Sequence, residues 1–240
     1  MRKIFLFVLI VVSGIIMAGC INRGTSTTEV SKEELYAKLE NTTTFGVLWN
    51  LELLNSTTRE ILATSKGKAV IYPNLVLSYR ESKGENWISK SVITWENNEG
   101  SLIFVMTMDN ETRKFEDSKE FNVTMARKMA FPGGEIELLL LNNMEFNSTK
   151  VEVKCDGECV LRIIKEDSEI LYDIQGAWKI EYIEGNVTFD PNTKELSKVE
   201  IVMGTSQGFV EKIRYEFVKN NLNEIKAEIE RIREELKNTS

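Results

Sequence analysis

The sequence predicts an α+β fold: a run of antiparallel hairpins, short helices interrupting them midway, and an amphipathic helix at the end. Three patterns carry this reading. Apolar residues alternate in short runs separated by turn residues, the period of half-buried strands. Near the middle the period becomes helical, with Phe121, Met125 and Met129 spaced by four before Pro132-Gly133-Gly134. From about Asn221, Leu222, Ile225, Ile229, Ile232 and Leu236 recur at steps of three and four.

Taken in order, Ser31 and Glu34 form a capping-box pattern, and Leu35 with Leu39 supplies the apolar face of a short helix ending near Asn41. Val47, Trp49, Leu51 and Leu53 then alternate, as do Leu75, Leu77 and Tyr79 after Pro73. The runs Ile88 to Trp95 and Leu102 to Met108 follow, joined across Asn97 to Gly100. Both faces of Leu102 to Met108 are apolar, which predicts a central strand covered on both sides. Glu116-Asp117 after Phe115 reads as a solvated strand end, and Ser118 opens the helical break. Ile136 to Leu141 reads as a second short helix. Hairpins resume at Val151. Trp178, Ile180 and Tyr182 lead to an expected turn at Glu184-Gly185, and Val187 and Phe189 lead to one at Asp190-Pro191-Asn192. Val199, Ile201 and Met203 are expected to pair with Ile213, Tyr215 and Phe217. The final helix spans too few heptads for a stable free coiled coil. Packing on its own domain is the simpler expectation, and a partner helix is the alternative.

The N-terminus carries a separate message. Arg2 and Lys3 precede the apolar run Ile4 to Val12, and Met17-Ala18-Gly19-Cys20 follows, the pattern of a lipoprotein signal with Cys20 as the lipidated mature terminus. An uncleaved anchor is the alternative, but Ile4 to Gly19 is 16 residues, short of the roughly 20 that span a bilayer. The expected organisation is therefore a signal at 1–19, a polar tether at 20–30, a domain at 31–220 and a helix at 221–240. That places the protein on the extracytoplasmic face of the cell membrane, held by lipid. Removing Arg2 and Lys3 leaves 28 basic against 37 acidic residues, a net charge of −9. No basic cluster interleaves with aromatics, so nucleic acid is not an expected partner, and anionic headgroups would repel the surface.

Seven Asn-x-Ser/Thr sequons occur, at Asn41, Asn55, Asn110, Asn122, Asn147, Asn186 and Asn238, where this composition gives roughly three by chance. They suit a glycoprotein, although a chain rich in Asn and Thr also makes sequons by accident. Lipidation and sequons together point to an archaeal-type surface. Cys155 and Cys159 flank Asp156-Gly157-Glu158 between two strand patterns, and in an oxidising exterior a disulfide across that hairpin is expected. A redox pair or a metal clip is the weaker reading, because the spacing is not Cys-x-x-Cys and no His is available.

The absence of His excludes zinc proteases of the His-Glu-x-x-His type and serine or cysteine hydrolases with a His base. Gly204-Thr205-Ser206-Gln207-Gly208 matches a nucleophile elbow by pattern, but it lies between two strands and reads as a hairpin turn. No phosphate-binding glycine loop appears. A carboxylate pair remains open in principle, yet no spacing singles one out. Neither catalysis nor a cofactor is expected. Met106, Met108, Met125, Met129 and Met144 gather around the central break, which suits either a soft apolar ligand site or a plain core.

The order of a capped helix ending Leu39 to Phe45, then Gly67-Lys68-Ala69-Val70-Ile71-Tyr72-Pro73-Asn74 leading to Tyr79-Arg80, and later Asp190 to Thr193 with Lys198 to Ile201, resembles the LolA-like superfamily of lipoprotein carriers. The resemblance, over roughly residues 31–220, implies a curved, incomplete antiparallel β-barrel whose short helices act as a lid over a hollow for acyl chains. The residues expected in groove or lid, chosen by alternation, are Trp49, Trp95, Met106, Met125, Met129 and Trp178. Arg80 sits at a position similar to an arginine of the carriers, and an exposed strand end explains it equally. The anchor, the sequons and the final helix depart from the soluble carriers and look more like anchored members that hold lipids. The expected function is therefore a lipid-anchored protein binding an acyl chain; the alternative is a non-catalytic surface protein with a packed core and a partner-binding C-terminal helix.

Overall fold

Ser31 caps the first helix, α1 (Lys32–Asn41), as the sequence predicts: the Glu34 N–H donates to Ser31 Oγ (3.1 Å) and the Ser31 N–H to Glu34 Oε2 (3.2 Å). The protein is described by a computed structural model over residues 30–130, 134–140, 146–168, 171–172 and 178–239. After α1 come six strands, β1 (Phe45–Asn55), β2 (Ile61–Tyr72), β3 (Leu75–Gly84), β4 (Trp87–Glu96), β5 (Glu99–Met108) and β6 (Glu111–Glu120). Helices α2 (Val123–Ala130) and α3 (Gly134–Leu140) lead to β7 (Phe146–Asp156), β8 (Glu158–Ser168), β9 (Leu171–Tyr172), β10 (Trp178–Phe189), β11 (Leu196–Thr205) and β12 (Phe209–Val218). Helix α4 (Leu222–Lys237) closes the chain.

Eleven strands form one open antiparallel sheet in the order β6-β5-β4-β3-β2-β1-β12-β11-β10-β8-β7, and β9 pairs with the start of β10. Two-residue turns set much of the register. Asn97-Asn98 and Asp109-Asn110 each hold positive φ at both central positions, the conformation that matches strand twist and that Asn and Asp tolerate. Cys155 and Cys159 face each other at the tip of β7 and β8, with Cα atoms 4.1 Å apart, and are bonded. Gly157 between them takes a φ of 81°, which an L side chain rarely adopts.

Successive residues point to opposite faces, and the two faces are covered differently. One face carries a core that includes Trp49, Ile71, Tyr215, Phe189 and Ile163 from the sheet, Leu35 from α1, Ala126 and Ala130 from α2, and Ile136, Leu139 and Leu140 from α3. The other face is covered only over β1 to β5, where α4 lays Ile229 and Leu236 against Val70, Leu77, Val92, Ile103 and Val105. Beyond α4 that face is solvated and laced by pairs such as Arg162–Glu184 (2.7 Å) and Lys198–Glu200 (2.6 Å). The apolar stripe of α4 is thus buried on its own sheet.

Three sequence expectations change, and one strand has no sequence signal. Ser118 lies inside β6, paired with Ser101, and the helical break starts later, where Asn122 Oδ1 accepts from the Met125 N–H (2.9 Å). Strand β6 was hidden because, as an edge, it is exposed and charged almost throughout and so shows no alternation. Glu184-Gly185 is no turn: β10 runs straight through it, and the missing Cβ at Gly185 leaves room for the Leu139 side chain, which a Cβ would overlap. Strand β5 is not covered on both sides, since Ile103 and Val105 are buried but Leu102, Phe104 and Met106 on the helix-lined face are only half-buried. Finally, β2 continues from Ile61 through Ser65-Lys66-Gly67-Lys68, a polar stretch without an alternation signal.

Removing side-chain volume at the contact that seats α4 tests how integral this helix is. Ile229→Ala, at a fully buried position, is expected to cost about 3 kcal/mol, read as a lower urea midpoint with an unchanged slope.

Candidate ligand groove

The half-covered side of β5 defines the site. On the helix-lined face, α2 lies against β3 and β4, and among the described residues no helix packs on the column Leu102, Phe104, Met106 and Met108 of β5 to the same extent. Cross-strand partners extend the column: Phe115 on β6 pairs with Phe104, and Trp87 on β4 pairs with Met108. Phe115 is 54% exposed and Met108 48%, while Met125 (51%) and Met129 (40%) stand on the outward side of α2, the helix that borders the strip. Single exposed apolar residues are ordinary, but a contiguous strip beside a helix is the mark of a binding surface.

Next to this strip the same face turns small and polar. Ser89 and Ser91 pair with Met106 and Phe104, and Ser82 and Arg80 lie one strand further on. Arg80 Nε donates to Ser65 Oγ (2.9 Å) and Ser82 Oγ (3.2 Å), and Ser82 donates to Ser65 (2.9 Å). Gly67, opposite Arg80, has no side chain, and the Trp49 indole lies across it in the space a Cβ would take. Trp49 Nε1 is buried without an acceptor among the described residues.

The three helices on this face are tied to one another. Arg127 of α2 donates to the carbonyl oxygens of Glu40 (2.9 Å), Leu39 (3.0 Å) and Thr42 (2.9 Å) at the end of α1. They lie in the last turn and C-cap of α1, where the Leu39 carbonyl also accepts from the Thr42 N–H, and a cation there complements the helix dipole. The guanidinium sits 5.5 Å from the Phe45 ring centroid, and burial lowers its pKa, opposed in part by Glu40 and Tyr36. Tyr36 of α1 donates to Glu137 of α3 (3.2 Å), and Lys128 of α2 lies 3.6 Å from the same carboxylate. A cavity of about 230 Å³ remains between the helices, lined in part by Leu39, Thr124 and Ile136. The first strands are fastened to α2 as well: Trp95 Nε1 donates to the Phe121 carbonyl (2.7 Å), and Ser78 Oγ to that of Ala130.

On the other half of the face, Lys165 of β8 is completely buried. Burial, helped by the charge of Lys32, pushes its ammonium from an ordinary 10.5 down to about 8.

The expected site residues separate into groups. Met106 lies in the strip, and Met125 and Met129 are exposed on α2, which packs on the neighbouring strands β3 and β4. Trp49 and Trp95 are instead residues of the core on this face, 2% and 4% exposed, Trp95 held under the segment that leads into α2 by its bond to the Phe121 carbonyl. Trp178 begins β10, and its side chain lies outside the described residues, as do Met144 and Cys20. Among the sequons, Asn41, Asn110, Asn122 and Asn238 are exposed, at a helix end, a hairpin tip, a helix start and a helix end. Asn55 holds its turn by accepting from the N–H groups of Thr57 and Thr58, and Asn186 is half-buried mid-strand. Asn147 is in β7 with its side chain outside the described residues. Gly204 ends in the β11 ladder opposite Val210, and Ser206 lies in the hairpin turn before β12, as expected. Among the described residues no cluster of His, Cys, Asp or Glu has metal-binding geometry, and no helix is long and apolar enough to cross a membrane.

Compared with known proteins, the chain matches no family model and no curated protein. The functional reading therefore rests on the residues themselves. Sequence reasoning missed Phe104 and Phe115 in the strip, Arg127 as the tie between helices, and Lys165. Only Arg127 left a trace, as the one arginine on the predicted Met-rich helix.

Two measurements follow from this geometry. Arg127→Met is expected to cost roughly 2 kcal/mol and to speed amide hydrogen exchange in residues 123–130 while the sheet stays protected. For Lys165, the unfolded chain holds the proton up to pH 10.5 and the folded chain only to about 8. Stability from this group should thus rise with pH between those values, by at most about 3 kcal/mol, and be flat below them. The difference between wild type and Lys165→Met in urea midpoint across that window isolates the effect.

Proposed function

We propose that this chain is a lipid-anchored, extracytoplasmic protein that binds the acyl chain of an amphiphile in a groove on the helix-lined face of an open, LolA-like half-barrel. The observation that carries the reading is the strip of half-buried Phe104 and Met106 with exposed Met108 and Phe115, next to the exposed Met125 and Met129 of α2. Methionine adapts its shape to flexible apolar ligands, and each buried methylene of an acyl chain contributes about 0.8 kcal/mol. Such a groove acts by partition and needs no chemical step. The anchor would keep it within reach of the membrane that supplies its ligand. The rival reading, a surface protein docking a partner through its last helix, is weakened because the apolar stripe of α4 is already buried on β2 to β5.

The test uses the mature chain, residues 20–240, with Cys20→Ser; the described fold begins at Val30, away from the change. Native mass spectrometry before and after organic extraction is expected to show a bound lipid that extraction removes. The emptied protein should then enhance the fluorescence of N-phenyl-1-naphthylamine, and Phe115→Asp with Met125→Asp should weaken this about tenfold or more. An empty, folded protein that takes up neither lipid nor probe overturns the proposal.

A further inference from the structure

The groove has a polar end that apolar partition does not use. Arg80 projects from the middle of β3 onto the helix-lined face, and it is exposed. Its Nε is occupied by Ser65 and Ser82, which fixes the plane of the guanidinium and leaves the two terminal nitrogens as donors. Arg113, Arg162, Arg214 and Arg231 pair with carboxylates and Arg127 with carbonyls, whereas Arg59 stands exposed in a turn and Arg233 lies on the opposite, α4-covered face. Among the described residues, no carboxylate pairs with Arg80. In a chain with 37 acidic residues, the neighbours of Arg80 in its row and the adjacent one are Gly67, Ser65, Ser82, Ser89 and Ser91, none of them acidic.

The surroundings fit a ligand that continues into the strip. Arg80, Ser91 and Phe104 lie in one cross-strand row, so the arginine is two strand spacings, roughly 10 Å, from the apolar column. Between them the floor is made of small residues, Ser82, Ser89 and Ser91, which leave depth for a ligand and offer hydroxyls. On the far side of Arg80, Trp49 spans Gly67 in the same row, and its buried indole N–H has no acceptor among the described residues. The row thus holds more donors than acceptors.

Resting on the groove reading above, we infer that Arg80 is the head-group subsite: the ligand is an amphiphile whose carboxylate or phosphate sits at the Arg80 guanidinium and whose chain crosses the serine floor to Phe104, Met106 and Phe115. A planar guanidinium with two free nitrogens suits either oxyanion, as a bidentate partner. The serine pair that orients it makes the subsite preformed.

Displacement of N-phenyl-1-naphthylamine from the mature Cys20→Ser chain tests this with dodecanoic acid, dodecyl phosphate and 1-dodecanol, which share one chain length and differ in the head. The two anions are expected to displace the probe at concentrations at least tenfold below the alcohol. Arg80→Gln should abolish that gap and leave the alcohol unchanged; Arg80→Lys should restore part of it. Arg80 is exposed, so the variants are expected to fold, and an unaltered urea midpoint checks it. Equal displacement by all three in wild type, or Arg80→Gln weakening alcohol and acid alike, overturns the subsite while the groove stands. Failure of every ligand and of the probe itself overturns the groove and the subsite with it. Inorganic phosphate binding as tightly as dodecyl phosphate, and losing affinity in Arg80→Gln, would replace the lipid by a free anion.

Discussion

The ladder between β1 and β12, running from Gly46 opposite Val218 to Asn55 opposite Phe209, joins the beginning of the sheet to its end, and the rest of the architecture depends on it. Each half of the chain is a meander that could form from local hairpins. Pairing the first strand with the last places both meanders in one sheet and puts β6 and β7 at opposite edges. The chain between those edges must then cross the whole face. It does so as α2 and α3, with α1 docked beside them, so the helices sit on this face because of connectivity and not because of their own propensity. Trp49 and Tyr215, paired across the ladder and both buried, sit at the centre of the core that results.

Coverage then follows from helix length. Helices of eight and seven residues reach about 12 Å and 10 Å, and strands repeat every 4.8 Å or so. Neither helix spans more than two or three strands. Among the described residues α2 packs on β3 and β4, and α3 on β11 and against α1, while Met108 and Phe115 of β5 and β6 at one edge and Val151 of β7 at the other stay exposed. The opposite face of the first half is sealed by α4, whose 16 residues suffice to cross several strands. Strand β5 is therefore sealed on one side and open on the other. The open side is the candidate groove.

Much of this was legible in the sequence where a local pattern and the tertiary environment agree. The capping box at Ser31, the cysteine hairpin, the turn at Asp190 and the stripe of α4 each depend on neighbours within a few residues. What was not legible depends on distant partners. Gly185 looks like a turn until Leu139 of α3 is placed over it. The apolar run of β5 looks central, because sequence cannot tell a side that faces a core from one that faces a groove. Trp49 and Trp95 alternate as groove residues would, and are instead buried in the core of the same face. Arg80 was legible as a position but not as a role, since its serine partners are 15 residues away at Ser65 and two away at Ser82.

An open apolar strip beside an open sheet edge is an aggregation hazard, and the way this chain manages it bears on what the strip is for. Strand β6, the exposed edge next to the strip, carries Glu111, Arg113, Lys114, Glu116, Asp117, Lys119 and Glu120, which discourages another chain from adding a strand there. The protection is aimed at edge pairing alone. On the face itself, Phe115 stands exposed between Arg113 and Asp117, which occupy alternate positions of the same strand. A chain selected only for solubility would gain by a polar residue at 115, because no packing against the core is lost there. Retaining an aromatic ring opposite Phe104, next to a floor of serines and a cation without a carboxylate, is economical only if an amphiphile covers it. The same geometry that leaves the edge unattractive to proteins leaves the face open to a flexible chain, since an acyl tail needs contact area and no backbone pairing.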